Sequence, residues 1–255
     1  MGTGTDLSVR REGSVATVEL ARGKVNAIDV DVLTELRATL GHLELDDAVR
    51  AVVITGAGRV FSAGVDLRRV VDSGPGYAEG LVLALRDALE ALFSFPKPTV
   101  AAVNGAAVAG GCIVACACDR RVMAEGARIG ASELVVGVPF PVAALEILRH
   151  ACGSRTEDLV MSGRLLDAAE ALTVGLVHEV HPGAGVLERA VAVATELGDR
   201  APLAYRLAKE QLRRPALERM RADARDQDGA VIEQWAAPHT TARLRAQLDR
   251  LAAAR

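Results

Sequence analysis

An α/β fold is what this chain predicts, and three observations carry the prediction. Strand, glycine turn and helix recur in that order along the first half of the sequence, which is the grammar of crossover connections between parallel strands. Half of the residues are apolar but only 3% are aromatic, so the core is built from Val, Leu, Ile and Ala. Beyond Pro141 almost every segment has helical period, Leu176 to Val180 excepted. With 255 residues the chain buries a full core. It divides into a core over 1–200 and a C-terminal helical region over 201–255.

The elements follow in order. Leu7 to Arg11 and Ser14 to Leu20 alternate as a hairpin about Glu12-Gly13. Asp29 then caps a helix whose apolar positions Val32, Leu33, Leu36 and Leu40 recur at three and four residues through Leu43. Arg50 to Thr55 is a buried strand closed by Gly56-Ala57-Gly58, and it delivers the chain to the loop Phe61 to Leu67. Asp72 to Gly76 breaks the chain, as a candidate lid, before an amphipathic helix from Tyr77 to about Ser94. A strand over Thr99 to Val103 leads through Asn104-Gly105 and the Gly110-Gly111 turn into a short apolar helix ending near Asp119. Arg121 to Ala124 and Ala127 to Gly130 are further short strands. From Ala201 onward the composition is Ala, Leu and Arg, which predicts an αα arrangement docked on the core or on a neighbouring subunit.

Charge and composition remove several classes of function. A net charge of -3, with the thirty Lys and Arg dispersed, gives no basic footprint for nucleic acid. Met1 to Asp6 is short and polar, and no segment approaches the roughly eighteen uninterrupted apolar residues of a membrane span. The expectation is a soluble, cytoplasmic protein. Cys112, Cys116 and Cys118 in CxxxCxC spacing, with Cys152 downstream, fit no common zinc pattern and no disulfide framework; they are expected to be small core residues. No GxSxG elbow surrounds Ser62, Ser132 or Ser162, and Gly56-Ala57-Gly58 lacks the third glycine of a dinucleotide loop, because Phe61 occupies its position. His178 and His181 flank a strand end, where a solvated or structural role is the default.

Two features remain that carry chemistry. The loop Phe61 to Leu67 and the turn Val108 to Ile113 both set small residues beside free backbone N–H groups, and two such turns can aim two donors at one point, as an oxyanion hole requires. The alternative is that both are ordinary tight connections whose glycines serve close packing. The second feature is Glu133, a lone carboxylate in Ile129-Gly130-Ala131-Ser132-Glu133-Leu134. Its structural alternative is an ion pair with Arg120 or Arg121.

Three stretches, VRAVVITGAGRVFSAGVDL, KPTVAAVNGAAVAGGCIVACACDRRVMAEGARIGASELVVGVPFP and MSGRLLDAAEALTVGLVHEV, resemble in order and spacing the enoyl-CoA hydratase/isomerase (crotonase) superfamily, over roughly Leu7 to Pro215. The resemblance implies a spiral of stacked ββα turns, a helical trimerisation region giving a homotrimer or dimer of trimers, and acyl-CoA thioesters as substrates with no metal or redox cofactor. It assigns the oxyanion N–H groups to Val65 and Gly110. CoA is expected along Val25, Asn26, Ala27, Ala63, Asp66, Leu67 and Arg68, with Arg22, Lys24, Arg68 and Arg69 as candidate phosphate partners, and Ile113 and Phe140 in the acyl pocket.

Hydratases of that family usually carry two glutamates. At the first of those positions this chain has Ile113, while the second is Glu133. Syn addition of water needs a water held between an acceptor and a proton donor, and an alkyl side chain offers neither. A proton shuttle between two carbons of the substrate needs one base only. The pattern resembles Δ3,Δ2-enoyl-CoA isomerases, with Glu133 as the acid/base. The alternatives are a hydratase with another polar group in place of the missing carboxylate, and an acyl-CoA binding protein without turnover. Asp66 and Glu146 are the other carboxylates to consider, and Asp119 reads as a structural cap at its helix end. Ala106 to Ala109 carries fewer glycines than many members, and Phe140-Pro141 stands where a glycine-rich stretch is common.

Overall fold

The computed structural model describes residues 6–253; residues 1–5, within the polar N-terminal stretch, lie outside them. The chain runs β1 Leu7–Glu12, β2 Val15–Leu20, α1 Val30–Leu45, β3 Ala51–Gly56, β4 Val60–Ser62, α2 Leu67–Ser73, α3 Pro75–Ser94, β5 Thr99–Val103, β6 Ala106–Val108 and α4 Gly110–Ala117. It continues through β7 Arg120–Ala124, β8 Ile129–Gly130, α5 Glu133–Val136, α6 Val142–Cys152, α7 Thr156–Ser162, α8 Ala168–Thr173, β9 Glu179–His181, α9 Val186–Gly198, α10 Pro202–Ala236 and α11 Pro238–Ala253.

Two sheets organise these elements. Six strands in the order β1-β2-β3-β5-β7-β9 form the larger, and β4-β6-β8 form a short second one. Only the β1–β2 hairpin is antiparallel; every other pair is parallel. Each of β3-β4-α2, β5-β6-α4 and β7-β8-α5 therefore places one strand in the large sheet, the next in the small sheet, and then a helix. That is a spiral of ββα turns. Glycine makes the corners between the sheets: a Cβ at Gly105 would stand 2.6 Å from the Arg59 carbonyl carbon, so a side chain there would force the layers apart. Asn104 locks the same corner by accepting from Gly56 N at 3.2 Å and donating to Gly56 O at 2.8 Å.

The central strands β3 and β5 of the large sheet are covered on both faces and read as continuous apolar runs, as parallel strands do, whereas the edge strand β1 is largely exposed. All six residues of β3 and all five of β5 are buried. Helix α1 begins as its sequence predicts, with the Asp29 side chain accepting from Val32 N at 3.0 Å. Three expected elements differ in extent. The strand read at Leu176 to Val180 is only Glu179–His181, and Ala127 to Gly130 only Ile129–Gly130. The Asp72 to Gly76 break is a one-residue joint, because α2 ends at Ser73 and α3 starts at Pro75, with Gly74 at φ 78° between them.

Helix α10 continues through Pro215 without interruption. A proline inside a helix removes one backbone hydrogen bond, and tertiary anchors offset the loss. Lys209 and Arg213 pair with Asp119 at 2.8 and 2.7 Å, and Tyr205 donates to the same carboxylate at 3.0 Å. Asp119 is thus structural, but as the anchor of α10 rather than as a helix cap. Burial works against its charge, yet Lys209 and Arg213 hold it below the ordinary carboxylate range. Helix α10 packs on α3 and α6, and α11 folds back over α2 and α5.

Candidate active site

Three consecutive turns of the spiral each bring one element of the site to the same end of the small sheet. Strand β4 runs into Val65, β6 into Gly110, and β8 into Glu133. Because parallel strands all point one way, residues separated by dozens of positions leave the sheet side by side.

The first loop is held against the segment before α1. Ile28 N donates to Gly64 O at 2.8 Å, Asp66 N to Ile28 O at 2.8 Å, and Ala63 N to Val25 O at 3.0 Å. Ser62, buried, donates to Asn26 O at 2.8 Å and accepts from Gly64 N at 3.1 Å. Asn26 turns the chain at φ 51° and ties down the far side by donating to Ala57 O and Val60 O. Asp66 caps α2. These contacts engage the amides on either side of Val65 and leave its own N–H without an acceptor among the described residues.

The second turn depends on a strained residue. Ala109 lies at φ 49°, where an L side chain costs about 1 to 3 kcal/mol. Its N–H donates to Gly130 O at 2.8 Å, and the turn leaves the Gly110 N–H, at the start of α4, equally without an acceptor. The two loops touch. A Cβ on Gly64, itself at φ 84°, would stand 2.8 Å from Val108 O and 3.1 Å from Gly110 N, and one on Gly110 would stand 3.7 Å from Val65 N. Two free N–H groups on abutting backbones can hold one oxygen between them.

Both loops border a cavity of about 440 Å³. Ala63, Val65, Leu67, Gly110, Ile113 and Glu133, all picked out in the sequence, line it. Val25, Asn26, Ala27, Asp66 and Arg68 do not; the segment Val25 to Ile28 braces the first loop from behind, and Asp66 and Arg68 stand at the start of α2. Phe140 turns away from this cavity and lines a neighbouring cleft with Leu145 and Arg149, so Pro141 and Val138 occupy the wall that Phe140 was expected to fill. The remaining walls were not picked out in the sequence: Leu85 and Leu89 of α3, Trp235 of α10, and Gln247 and Leu251 of α11. The apolar period marks Leu85, Leu89 and Trp235 as buried, and nothing local separates a residue facing a cavity from one facing the core.

Glu133 is the one titratable side chain in the lining among the described residues. It opens the single turn α5 and is 7% exposed, and its Oε2 has no hydrogen-bond partner. Burial pushes its carboxyl up to about 8. Neither Arg120 nor Arg121, its candidate structural partners, forms an ion pair with it among the described residues; Arg121 is turned to the carbonyls of Leu176, Cys116 and Cys118. Ile113, fully buried on α4, presents only carbon to the cavity.

The cations expected for phosphate divide into two pairs. Arg22 is paired with Asp6 and with Asp29, the latter at 2.5 Å, and Arg69 with Asp29 and Asp31. Carboxylates therefore already engage those two guanidinium groups. Lys24 and Arg68 are exposed, and no salt bridge engages them among the described residues. Glu146 is buried between Arg149 and Arg219, away from the cavity. His178 accepts from Arg121 N at 3.1 Å, and burial lowers it to about 3, which makes it a neutral structural group. All four cysteines are buried and free, and no cluster of His, Cys, Asp and Glu suited to a metal ion occurs among the described residues. Among the described residues no helix is long and apolar enough to cross a membrane.

Comparison with known proteins gives this geometry a family. The chain is 41% identical over 190 residues to a putative enoyl-CoA hydratase of Thermus thermophilus, covering 73% of this chain and 75% of the relative. It is 32% identical over 209 residues to a short-chain-enoyl-CoA hydratase of Clostridium acetobutylicum, covering 81% and 80%. Among solved structures, human mitochondrial delta3-delta2-enoyl-CoA isomerase superposes with a TM-score of 0.93 at 30% identity, over 98% of this chain and 99% of that one. The family model described as enoyl-CoA hydratase/isomerase matches residues 10–243, and the chain, an α/β spiral of the crotonase type, belongs to that family.

Proposed function

We propose that this protein is a Δ3,Δ2-enoyl-CoA isomerase in which Glu133 moves one proton between two carbons of the substrate. The observation that carries the reading is the solitary carboxylate: Glu133 faces a cavity whose other walls are almost wholly apolar, with Ile113 beside it. The Glu133 carboxylate takes the C2 proton of a 3-enoyl thioester, and the electron pair moves onto the thioester oxygen. The Val65 and Gly110 N–H groups hold that oxygen, each donor contributing ~3 kcal/mol. The pair then returns, Glu133 delivers the proton to C4, and the double bond has moved from C3=C4 to C2=C3 with nothing consumed. A carboxyl near 8 suits both halves, being a strong enough base to accept and a weak enough one to release. Ala63 and Leu67, with the segment Val25 to Ala27 behind them and Lys24 and Arg68 at the rim, receive the CoA portion. Assembly as a homotrimer or dimer of trimers in the cytoplasm, without metal or redox cofactor, belongs to the same reading.

Hydration is the second reading, favoured by the hydratase names of the sequence relatives. It needs a second proton-handling group, and the other polar side chains of the lining are the Ser132 hydroxyl, the Gln247 amide and the Trp235 indole, whose N–H is already bonded to Pro139 O at 3.0 Å. None ionises near neutral pH. Supplying 2-enoyl-CoA and 3-enoyl-CoA separately, and following hydration and bond migration in each, decides between them. Bond migration dominating supports the isomerase; efficient hydration by the natural chain overturns it. Ile113→Glu is expected to raise hydration at least ~10-fold, because it restores a carboxylate on α4 facing Glu133.

A further inference from the structure

The apolar wall of the cavity carries one large, buried side chain, Trp235. We propose that Trp235 sets the upper length of the acyl group, so that this site takes unbranched, unfunctionalised acyl-CoA chains of short to medium length; the isomerase reading supplies the context.

The walls fix the chemical class. Leu85, Leu89, Ile113, Val136, Val138 and Ala144 face the cavity from α3, α4, α5, α6 and the loop between the last two. A hydroxyl, keto or carboxylate group on the acyl chain would be buried among them with no partner, a loss that an aliphatic chain avoids. The one amide in the lining, Gln247, is half-exposed on α11 near the exposed Leu251, at the open rim.

Trp235 fixes the length. It is 3% exposed, and it comes from α10, which packs on α3 and α6, whereas Val65 and Gly110 come from the ends of the small sheet. Its indole N–H donates to Pro139 O at 3.0 Å, so the polar edge is satisfied and the ring presents carbon to the cavity. The helix face that carries it is clamped as well. Val231, one turn earlier, is buried, and Asp228, two turns earlier, accepts from Val142 N at 2.9 Å at the start of α6. A wall held at three successive turns does not swing aside as a lone flexible side chain would. A chain longer than the cavity must break the Trp235–Pro139 bond or stay partly outside.

Binding of saturated acyl-CoAs, from hexanoyl to hexadecanoyl, tests this by calorimetry without any turnover. Affinity in the natural chain is expected to tighten about fourfold per added methylene until the chain meets Trp235, and then to level or fall. In Trp235→Ala the break moves to longer chains, and the ratio of hexadecanoyl to hexanoyl affinity rises at least ~10-fold. Ala144→Leu, which adds bulk to the same cavity, moves the break to shorter chains and serves even if Trp235→Ala does not fold. A natural chain with no break, a break unmoved in a folded Trp235→Ala, or a break unmoved in Ala144→Leu overturns the proposal. Because the ligands are inert, absence of bond migration on 3-enoyl-CoA would refute the isomerase reading and leave this measurement intact.

Discussion

Replacing Glu133 by Gln should stabilise the protein, and increasingly so as the pH rises. The carboxyl ionises near 4.5 in an unfolded chain and at about 8 in the folded one, because the charged form is stripped of water in an apolar cavity. A carboxyl whose folded value is raised holds its proton more tightly in the native state. Its contribution to stability is therefore fully present below the unfolded value and is lost as pH climbs toward the folded one. At ~1.4 kcal/mol for each tenfold change in the proton equilibrium, the loss is about 1 kcal/mol at pH ~5, about 3 at pH ~7 and between 4 and 5 at pH ~9. Glutamine cannot ionise and suffers none of it. Chemical denaturation of the two proteins across that range should give stability curves that diverge by ~3 to 4 kcal/mol, whatever constant offset the amide introduces. In the proposed mechanism the same carboxyl is the base, so kcat/KM for bond migration should climb as pH rises through about 8, and Glu133→Gln should lose at least ~100-fold. Parallel stability curves, with no divergence beyond ~1 kcal/mol, would show that Glu133 is not desolvated and would remove the physical basis for its role as base.

Two further substitutions test the frame around that carboxylate. Gly64→Ala puts a methyl group 2.8 Å from Val108 O at φ 84°, so the Val65 and Gly110 donors must separate. Turnover is expected to fall ~10- to 100-fold, while Gly58→Ala, at φ 72° with nothing within 4 Å, should cost stability only; equal activity in the two variants would mean that the loop contact does not set the donors. Asp29→Ala removes a fully buried carboxylate that caps α1 and holds Arg22 and Arg69, and should cost roughly 3 to 5 kcal/mol in denaturant unfolding. Asp31→Ala, at the exposed end of the same network, should cost under ~1 kcal/mol, and comparable losses in both would contradict the buried-anchor account.

The sequence by itself determined everything that short-range chemistry controls. The Asp29 cap and the three-and-four spacing behind it place α1, the apolar runs place β3 and β5, and the residues that close the two loops are legible as glycines and small side chains before any contact is known. Ile113 and Glu133 are picked out through the family resemblance, which marks the two positions where hydratases usually carry glutamates. Strands β4 and β6 span only three residues each, too short for a period to emerge, and they exist because neighbouring turns of the spiral pair with them; β8, expected over Ala127 to Gly130, is reduced to Ile129–Gly130. Tertiary structure alone also decided which cations stay available, since the carboxylates that engage Arg22 and Arg69 include residues 16 and 40 positions away. It decided the cavity wall in the same way: Trp235 and Leu89 have the same local pattern as any core residue, and only the docking of α10 and α3 turns them toward the cavity while Phe140 faces another cleft. Local free energies act over a few residues and leave a mark in the chain, whereas a cavity is the space that distant segments leave between them when they pack.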